Sequence, residues 1–443
     1  MGSDVVADSG VATAAAPAET VASQPAQTST PTTSQSQLTI PEDIITAHPE
    51  RNATRTALFG DLHVHTTYSF DAFAFGTLAT PYDAYRYAQG ETIKHPAGFD
   101  MTLRVPLDFY AVTDHAMFLG VSRQAADPTT EMGKMVQYEY MNNLNAPEKL
   151  VPGNTPERNN AFRSFLGDTL NMIANGTLSQ DFVHDITRDA WADTIAAAEQ
   201  YNKPGEFTTF VAYEYTSSTD DRGNLHRNVI FRDADKLPAV PFSRYHSQNP
   251  EGLWDWMDGL RAEGIESLAI PHNSNGSNGQ MFKLVDWAGN PLDGAYAEQR
   301  TRNEPLIEIT QIKGTSETHP MLSDTDEWAG FEIMPYRIAT NLYSEPSGSY
   351  AREALLNGLA LEDKGVKNPF EFGFVGASDT HMAAIGDDES DFYGKTGLLD
   401  ATPQLTGAVP LSAQAGERLL EDNPELAREF DAGIYNTASQ ITW

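Results

Sequence analysis

The sequence predicts an α/β fold in which a parallel sheet closes into a barrel. Seven short segments rich in Val, Ile, Phe or Tyr alternate with helical patterns, and strands separated by helices usually pair in parallel. Histidines and carboxylates follow most of these segments, and a site built from the C-terminal ends of many strands favours a barrel. An open doubly wound sheet would instead gather its site at one switch point.

The predicted elements alternate along most of the chain. The predicted strands cover residues 56–65, 109–113, 207–215, 228–232, 267–271, 306–312 and 372–377. Helical periodicity falls between them, at residues 81–88, 190–201, 252–263 and 350–359. Residues 116–189 and 273–305 are longer than ordinary connections, so we expect them to be insertions that shape a substrate pocket.

Composition changes at both ends of the chain. Residues 1–45 are rich in Ala, Ser, Thr, Pro and Gln, which predicts a disordered, low-complexity leader. The catalytic barrel is then expected over residues 46–400 and a helical tail over residues 401–443. The opening Met-Gly-Ser is typical of a cloning remnant, and a leader of this kind suits an exported protein whose signal has been removed. We therefore expect a periplasmic or secreted protein.

The charge and residue content narrow the possible partners. The 29 Lys and Arg against 62 Asp and Glu give a formal net charge of −33, which would repel nucleic-acid phosphates. Nucleic acid is therefore not expected as a partner, and the sequence does not indicate an oligomeric state. No apolar run approaches the roughly 18 residues that span a bilayer. The chain has no cysteine, so any metal must be held by His, Asp and Glu, which suit Zn, Mn or Fe.

Short histidine and carboxylate motifs predict a metal centre. In FGDLHVHTTYSFD, residues 59–71, the side chains of His63 and His65 point to the same side of an extended strand and can grip one cation. Asp379 and His381, in FVGASDTH, form a second pair with the same spacing. The other predicted ligands each lie in or near a short apolar segment, and they are Asp71, His115, Glu214, His226 and His272.

The ordered motifs resemble the polymerase and histidinol phosphatase (PHP) superfamily, and more narrowly a large, mostly uncharacterised bacterial family within it. The motifs are DLHVHT, TDH, YE, HRN, PHN and SDTH, together with Asp71, and they span residues 55–385. The resemblance implies a distorted (β/α)7 TIM-like barrel with two or three Zn, Mn or Fe ions. Because many relatives continue well past the last motif, the short tail suggests a truncated C-terminus.

The resemblance also implies a division of the ligands among three ions. His63, His65, Glu214 and Asp379 would hold the first ion. Glu214 would bridge to a second ion, which His226 and His272 would hold. Asp71, His115 and His381 would form the third site, where many relatives have a histidine in place of Asp71 and a carboxylate is also common.

Residues next to the ligands are candidates for supporting roles. Asp61 and Asp114 precede ligand histidines and are predicted to hydrogen-bond their far ring nitrogens. The alternative is that each is a capping or turn acid. In a chain short of positive charge, Lys313 is the preferred anion contact. Glu308 and Lys313 are an odd number of residues apart on one predicted strand, so one of the two side chains should face away from the site. The remaining candidates are Arg227 and His319 as catalytic groups, and Asn273 and Arg222 as substrate-binding groups. Arg227 could equally form a structural ion pair, His319 could be a solvated loop residue, and Asn273 could belong to a turn in NSNGSNG.

Three functions fit these observations. The first is a hydrolase that uses a metal-bridged hydroxide on phosphate mono- or diesters, with a small anionic molecule as substrate. The second is hydrolysis of an amide, ester or glycosidic bond at the same site. The third is a metal- or ligand-binding protein without turnover. Activity on a broad substrate panel would discriminate among them.

Overall fold

The computed structural model describes residues 57–152, 155–340, 342–386, 388, 392–399 and 401. The predicted leader over residues 1–45 lies outside these residues, as does the predicted C-terminal tail apart from residue 401. Within the described part of the chain, no helix is both long enough and apolar enough to cross a membrane.

The described residues contain ten strands and eight α-helices. The strands are β1 (Gly60–Val64), β2 (Ile93–Lys94), β3 (Asp100–Met101), β4 (Phe109–Val112), β5 (Thr208–Tyr215), β6 (Arg227–Phe231), β7 (Ser267–Pro271), β8 (Leu306–Gln311), β9 (Gly314–Thr315) and β10 (Gly373–Gly376). The helices are α1 (Phe70–Ala74), α2 (Pro81–Ala88), α3 (Val121–Ala126), α4 (Thr155–Ala174), α5 (Gln180–Tyr201), α6 (Pro250–Ala262), α7 (Gly294–Asn303) and α8 (Ala351–Asp363).

The predicted strands coincide with strands of the structure, but the predicted closed parallel barrel is wrong. The described strands form an open five-stranded sheet in the order β1-β4-β5-β6-β7, a three-stranded sheet in the order β10-β8-β9 and the hairpin β2-β3. The strand β6 runs antiparallel to both β5 and β7, and no strand pairing joins β7 to β8 in the described chain.

The antiparallel strand has a local cause. A parallel crossover needs a dozen or more residues and usually contains a helix. The link between β5 and β6, residues 216–226, contains no helix, so the chain reverses and β6 pairs with β5 in the opposite direction. The predicted parallel sheet required a helix between consecutive strands, and the link between β5 and β6 has none.

Local sequence signals explain where two helices begin. The side chain of Thr80 accepts a hydrogen bond from the backbone N–H of Asp83, the carboxylate of Asp83 accepts one from the backbone N–H of Thr80, and Pro81 occupies the first turn of α2. Asn249 caps α6 in the same position relative to Pro250. These helices, with α5, contribute to the main apolar core beside the five-stranded sheet, where Tyr85, Tyr110, Trp191, Tyr213 and Leu253 are buried.

The long segment after β4 has its own apolar cluster. It contains α3, α4 and part of α5, and it buries Phe118, Met141, Phe165 and Val183 together with Phe70 of α1. The ring of Phe70 also lies 5.0 Å from the ring of His115, measured between centroids. The predicted insertion at residues 116–189 is thus packed beside one of the predicted metal ligands.

Candidate metal centre

The nine predicted metal ligands lie in one connected cluster. His63 lies on β1 and Glu214 on β5, His226 directly precedes β6, and His272 directly follows β7. Because β6 is antiparallel to its neighbours, its beginning lies beside the ends of β5 and β7. Neighbouring rings are close, with 4.1 Å between the centroids of His63 and His272. The sheet therefore delivers these side chains to one edge.

The side chains of the predicted first ion site face one another. The Nε2 atoms of His63 and His65 lie 3.3 and 3.1 Å from Oδ1 of Asp379. The same two nitrogens lie 3.4 and 3.3 Å from Oε2 of Glu214. Asp379 reaches this position from irregular backbone with a φ of 54°, and the backbone N–H of His65 donates to the carbonyl of Thr380 over 2.8 Å. The segment after β10 thus docks on the end of β1.

Glu214 also connects this group to the predicted second site. Its Oε1 lies 2.7 Å from Nδ1 of His226, and its Oε2 lies 3.7 Å from Nε2 of His272. Potential ligand atoms of Glu214, His226 and His272 all lie within 4.8 Å of one another. Oε2 faces His63, His65 and His272, and Oε1 faces His226, so Glu214 contacts both groups, as a bridging ligand would.

Asp71 joins two histidines at the other side of the cluster. Its Oδ2 lies 3.0 Å from Nε2 of His115 and 2.9 Å from Nε2 of His381. His65, His115 and His381 also form a compact group, with potential ligand atoms within 4.8 Å. The third predicted set is therefore assembled as well, and His65 lies on its border with the first.

Several ligand atoms are buried with no hydrogen-bond partner among the described residues. They are Nε2 of His63, Nε2 of His65, both ring nitrogens of His272, and Oδ1 of Asp379. Burying a polar atom without a partner is unfavourable. Cations surrounded by these nitrogen and oxygen atoms would satisfy most of them, with His272 offering one of its two ring nitrogens. Several buried His, Asp and Glu clusters are thus compatible with metal binding.

Glu308 is the carboxylate that supports His63, and the sequence reasoning did not select it. Its Oε2 lies 2.8 Å from Nδ1 of His63, which leaves Nε2 directed at Glu214 and Asp379. A carboxylate on the far nitrogen fixes the tautomer of a ligand histidine. The available signal was an acidic residue within the otherwise uncharged strand LIEITQ.

Asp61, predicted to contact a ring nitrogen, holds backbone instead. Its Oδ1 accepts from the backbone N–H groups of His63, at 3.0 Å, and Ser378, at 3.2 Å. The hydroxyl of Ser378 donates to its other oxygen. Asp61 therefore ties β1 to the segment that carries Asp379. The predicted ring contact is wrong because residues 61 and 63 are on one strand, where the backbone N–H of His63 is nearer than its ring.

Asp114 supports a ligand histidine through an intermediate hydroxyl. Its Oδ1 accepts from the hydroxyl of Ser69 over 2.7 Å, and Ser69 Oγ lies 2.8 Å from Nδ1 of His65. The carboxylate also accepts from the backbone N–H and the hydroxyl of Thr66, each over 2.6 Å. Asp114 thus fixes the turn that follows His65. It also holds the hydroxyl of Ser69, which in turn contacts Nδ1 of the His65 ring.

Two buried lysines lie on the outer oxygen of Asp379. Lys313 forms an ion pair with Oδ2 of Asp379, and Nζ of Lys395 lies 3.5 Å from the same oxygen. Lys395 Nζ also lies 3.0 Å from Nδ1 of His381. Lys395 is a second site residue that the sequence reasoning missed, because no motif surrounds it.

The parity argument for Lys313 is also wrong, because both Lys313 and Glu308 contact the cluster. The strand β8 ends at Gln311, and the chain turns through Gly314, whose φ is 94°. Alternation of side chains holds only while the chain stays extended. Lys313 lies in the turn, so counting residues from Glu308 does not give its direction.

The charges of the cluster shift the pKa values of its members. Burial opposes protonation of His63, but the carboxylates of Asp379 and Glu308 outweigh it and raise its pKa to about 10. Burial likewise opposes ionisation of Asp379, yet Lys313 and Lys395 hold the pKa of that carboxyl well below its usual range. For His272, burial and the neighbouring His63 hold the pKa well below its ordinary value. The site thus keeps ionised carboxylates beside at least one neutral imidazole.

Three predicted site residues are not brought to the cluster by their described contacts. Arg227 forms a buried ion pair with Glu304, 2.8 Å from Nε to Oε1. Arg222 is exposed, in a turn with a φ of 69°. His319 accepts from the backbone N–H of Met321 over 3.2 Å, and its ring packs near Tyr350. The side chain of Arg227 points away from the cluster because Arg227 directly follows His226 in extended backbone, where consecutive side chains point to opposite sides.

Asn273 lies beside the cluster with a fixed side chain. It is buried, its φ is 47°, and its Oδ1 accepts from Nε2 of Gln311 over 2.7 Å. The neighbouring Asn275 is structural, since its Nδ2 donates to the carbonyls of Lys313 and Met334, each over 3.1 Å.

A family model described as "Protein of unknown function (DUF3604)" matches residues 52–432. The chain belongs to this family. No curated protein and no solved structure matches the chain significantly. The match to the DUF3604 model includes all residues of the cluster from His63 to Lys395, so the candidate centre lies within the matched part of the chain.

Proposed function

We propose that this DUF3604 protein is a metal-dependent hydrolase with two or three divalent ions, and that it acts on phosphate mono- or diesters. The observation that carries the proposal is the set of buried ligand atoms without hydrogen-bond partners, led by His63, His65 and His272. Atoms of this kind are stabilised by a shared cation, and sites with more than one such cation are typical of phosphoester hydrolysis.

The ligand types favour a particular group of ions. The cluster offers imidazole nitrogens and carboxylate oxygens and the chain has no cysteine, which suits Zn, Mn or Fe. Bound divalent ions would supply Lewis acidity and lower the pKa of a coordinated water towards neutrality. His63, His65, Asp379 and Glu214 would hold one ion, His226 and His272 would hold a second with Glu214, and Asp71, His115 and His381 would hold a third.

The chain's own residues supply the remaining requirements. Glu308 and Ser69 orient the rings of His63 and His65, so little reorganisation is needed when a substrate arrives. Lys313 is buried beside Asp379 and adds positive charge where an anionic substrate would lose its hydration. The resemblance of the ordered motifs to the PHP superfamily supports the same class of reaction.

The first test is metal content followed by a substrate panel. Protein purified without chelator should contain about two to three equivalents of Zn, Mn or Fe by elemental analysis, and the loaded protein should hydrolyse phosphoesters. The double replacement His63→Ala and His65→Ala should abolish both. His184→Ala is a matched control, because His184 lies on α5 and its ring stacks on His246 rather than on the cluster.

The results separate this proposal from its competitors. Loaded protein that cleaves amide or glycoside substrates but no phosphoester would change the substrate class. Loaded protein inert towards every class would indicate a binding protein. Full metal content or activity in the double variant would contradict the assignment of the centre.

A further inference from the structure

The side chain of Gln311 connects three groups at the edge of the candidate centre. Gln311 is the last residue of β8 and is buried. Its Nε2 lies 2.7 Å from Oδ1 of Asn273 and 2.7 Å from Oδ2 of Asp379, and its Oε1 lies 2.6 Å from the backbone nitrogen of Lys313. One amide therefore contacts a predicted ligand, a predicted anion contact and a predicted substrate-binding residue.

The orientation of the Gln311 amide follows from its partners. The backbone N–H of Lys313 can only donate, so the Gln311 atom that faces it must be the carbonyl oxygen. The NH₂ group then faces Asp379, whose ionised carboxylate can only accept. Both contacts require the same orientation of the Gln311 amide.

This orientation fixes the amide of Asn273 in turn. Because Gln311 presents NH₂, Asn273 must present its carbonyl oxygen to it, and its own NH₂ points away from Gln311. That Nδ2 is buried and has no hydrogen-bond partner among the described residues. Asn273 and Asp379 both bond to the same Gln311 nitrogen, and Asn273 directly follows His272, so the residue that carries the unsatisfied donor lies beside the metal cluster.

We propose that Gln311 is a positioning residue that holds Asn273 as a fixed hydrogen-bond donor for an oxyanion of the substrate. The inference deepens the proposed function and rests on it for the identity of the site. A buried NH₂ without a hydrogen-bond partner favours an acceptor-only group with negative charge, such as a phosphate oxygen, because charge-assisted hydrogen bonds are the stronger ones. It disfavours a substrate that presents an N–H or a cation at the same place.

A purely structural role for Asn273 is the competing explanation. Its φ of 47° is in the left-handed region, where asparagine is several-fold enriched for backbone reasons alone. The substitution Asn273→Gly discriminates, because glycine adopts this conformation freely but has no amide. A backbone role survives this change, whereas a donor role does not.

The experiment measures binding of inorganic phosphate to the full chain loaded with Mn²⁺, by isothermal titration calorimetry, with metal content measured on the same samples. Asn273→Gly should weaken phosphate binding by about 10- to 100-fold, the range for a hydrogen bond to a charged group. Gln311→Met, which keeps the length but frees Asn273 to rotate, should weaken it in the same direction. Asn278→Gly is the matched control, because Asn278 also has a positive φ, 55°, and its side chain bonds Asp221 and Glu345 instead.

Each outcome decides the inference separately from the hydrolase proposal. Unchanged phosphate affinity in Asn273→Gly, or no phosphate binding by the wild-type protein, overturns it even if the protein is a hydrolase. If Asn273→Gly cannot be loaded with metal, Asn273 belongs to the metal site and the donor role is wrong. Phosphate binding that depends on Asn273, in a protein with no turnover, supports the inference and contradicts the proposed function instead.

Discussion

At the scale of single residues, the candidate centre is defined by which ring nitrogen is already occupied. Nδ1 of His63 contacts Glu308 and Nδ1 of His65 contacts Ser69, and in both rings Nε2 has no hydrogen-bond partner among the described residues. A histidine held by one nitrogen presents the other in a fixed direction. Glu308 and Ser69 therefore determine the directions in which the Nε2 atoms of His63 and His65 point.

Replacing Glu308 should test this support directly. Glu308→Ala leaves Nδ1 of His63 without its carboxylate, so metal affinity should fall by roughly 10- to 100-fold, measured by competition with a chromogenic chelator. The exposed Glu362 on α8 provides the control, and Glu362→Ala should leave the affinity unchanged. Equal affinities in the Glu308 variant and the wild-type protein would mean that Glu308 does not orient the ring.

At the scale of elements, the short hairpin β2–β3 contains a buried histidine outside the centre. The ring of His95 stacks on Phe99 with centroids 4.1 Å apart, and its Nδ1 accepts from the backbone N–H of Ala97 over 2.9 Å. Burial lowers the pKa of His95 to about 4. Protonation would both charge a buried ring and remove its acceptor, so the hairpin favours the neutral form.

The hairpin should therefore lose stability in acid. Because the folded pKa is below the unfolded value of about 6.5, the unfolded state binds the proton first, and the stabilisation is complete above pH 6.5 and declines as pH falls towards 4. At pH 5 the loss due to His95 should be about 1–2 kcal/mol. His95→Asn keeps an acceptor but does not titrate, so urea unfolding should show a smaller loss between pH 7 and pH 5. Parallel losses in both proteins would exclude this role.

At the scale of the whole molecule, the centre connects distant parts of the chain. His63 on β1, Glu214 on β5, His272 after β7 and Asp379 after β10 contribute to one cluster. A cation bound there can form its contacts only in the folded chain. Metal binding should consequently stabilise the whole fold and not one loop.

Thermal unfolding by calorimetry should reveal this coupling. Removing metal with a chelator should lower Tm, and adding Mn²⁺ or Zn²⁺ at 100 to 1,000 times its Kd should restore about 3–4 kcal/mol of stability. The variant with His63→Ala and His65→Ala should show no comparable response to either treatment. A wild-type Tm that does not change with chelator or metal would mean that the cluster does not bind these ions in the folded state.

The sequence by itself was sufficient for the local features. Short apolar segments identified seven of the ten described strands and missed the two-residue strands β2, β3 and β9. The spacing of His63 and His65 indicated a shared direction, because side chains alternate in an extended chain. Residue types alone indicated nitrogen and oxygen ligands in a chain without cysteine. These features depend on neighbours in sequence and need no knowledge of the fold.

The tertiary structure decided strand direction, closure and the supporting residues. The antiparallel β6 follows from a link without a helix, and Lys313 reaches the cluster because the chain turns after Gln311. Glu308 is 245 residues from its partner His63 in the sequence, and Lys395 is 14 residues from its partner His381. No local pattern encodes such contacts. Long-range pairing depends on the packing of all elements together, and for that reason it could be read only from the folded chain.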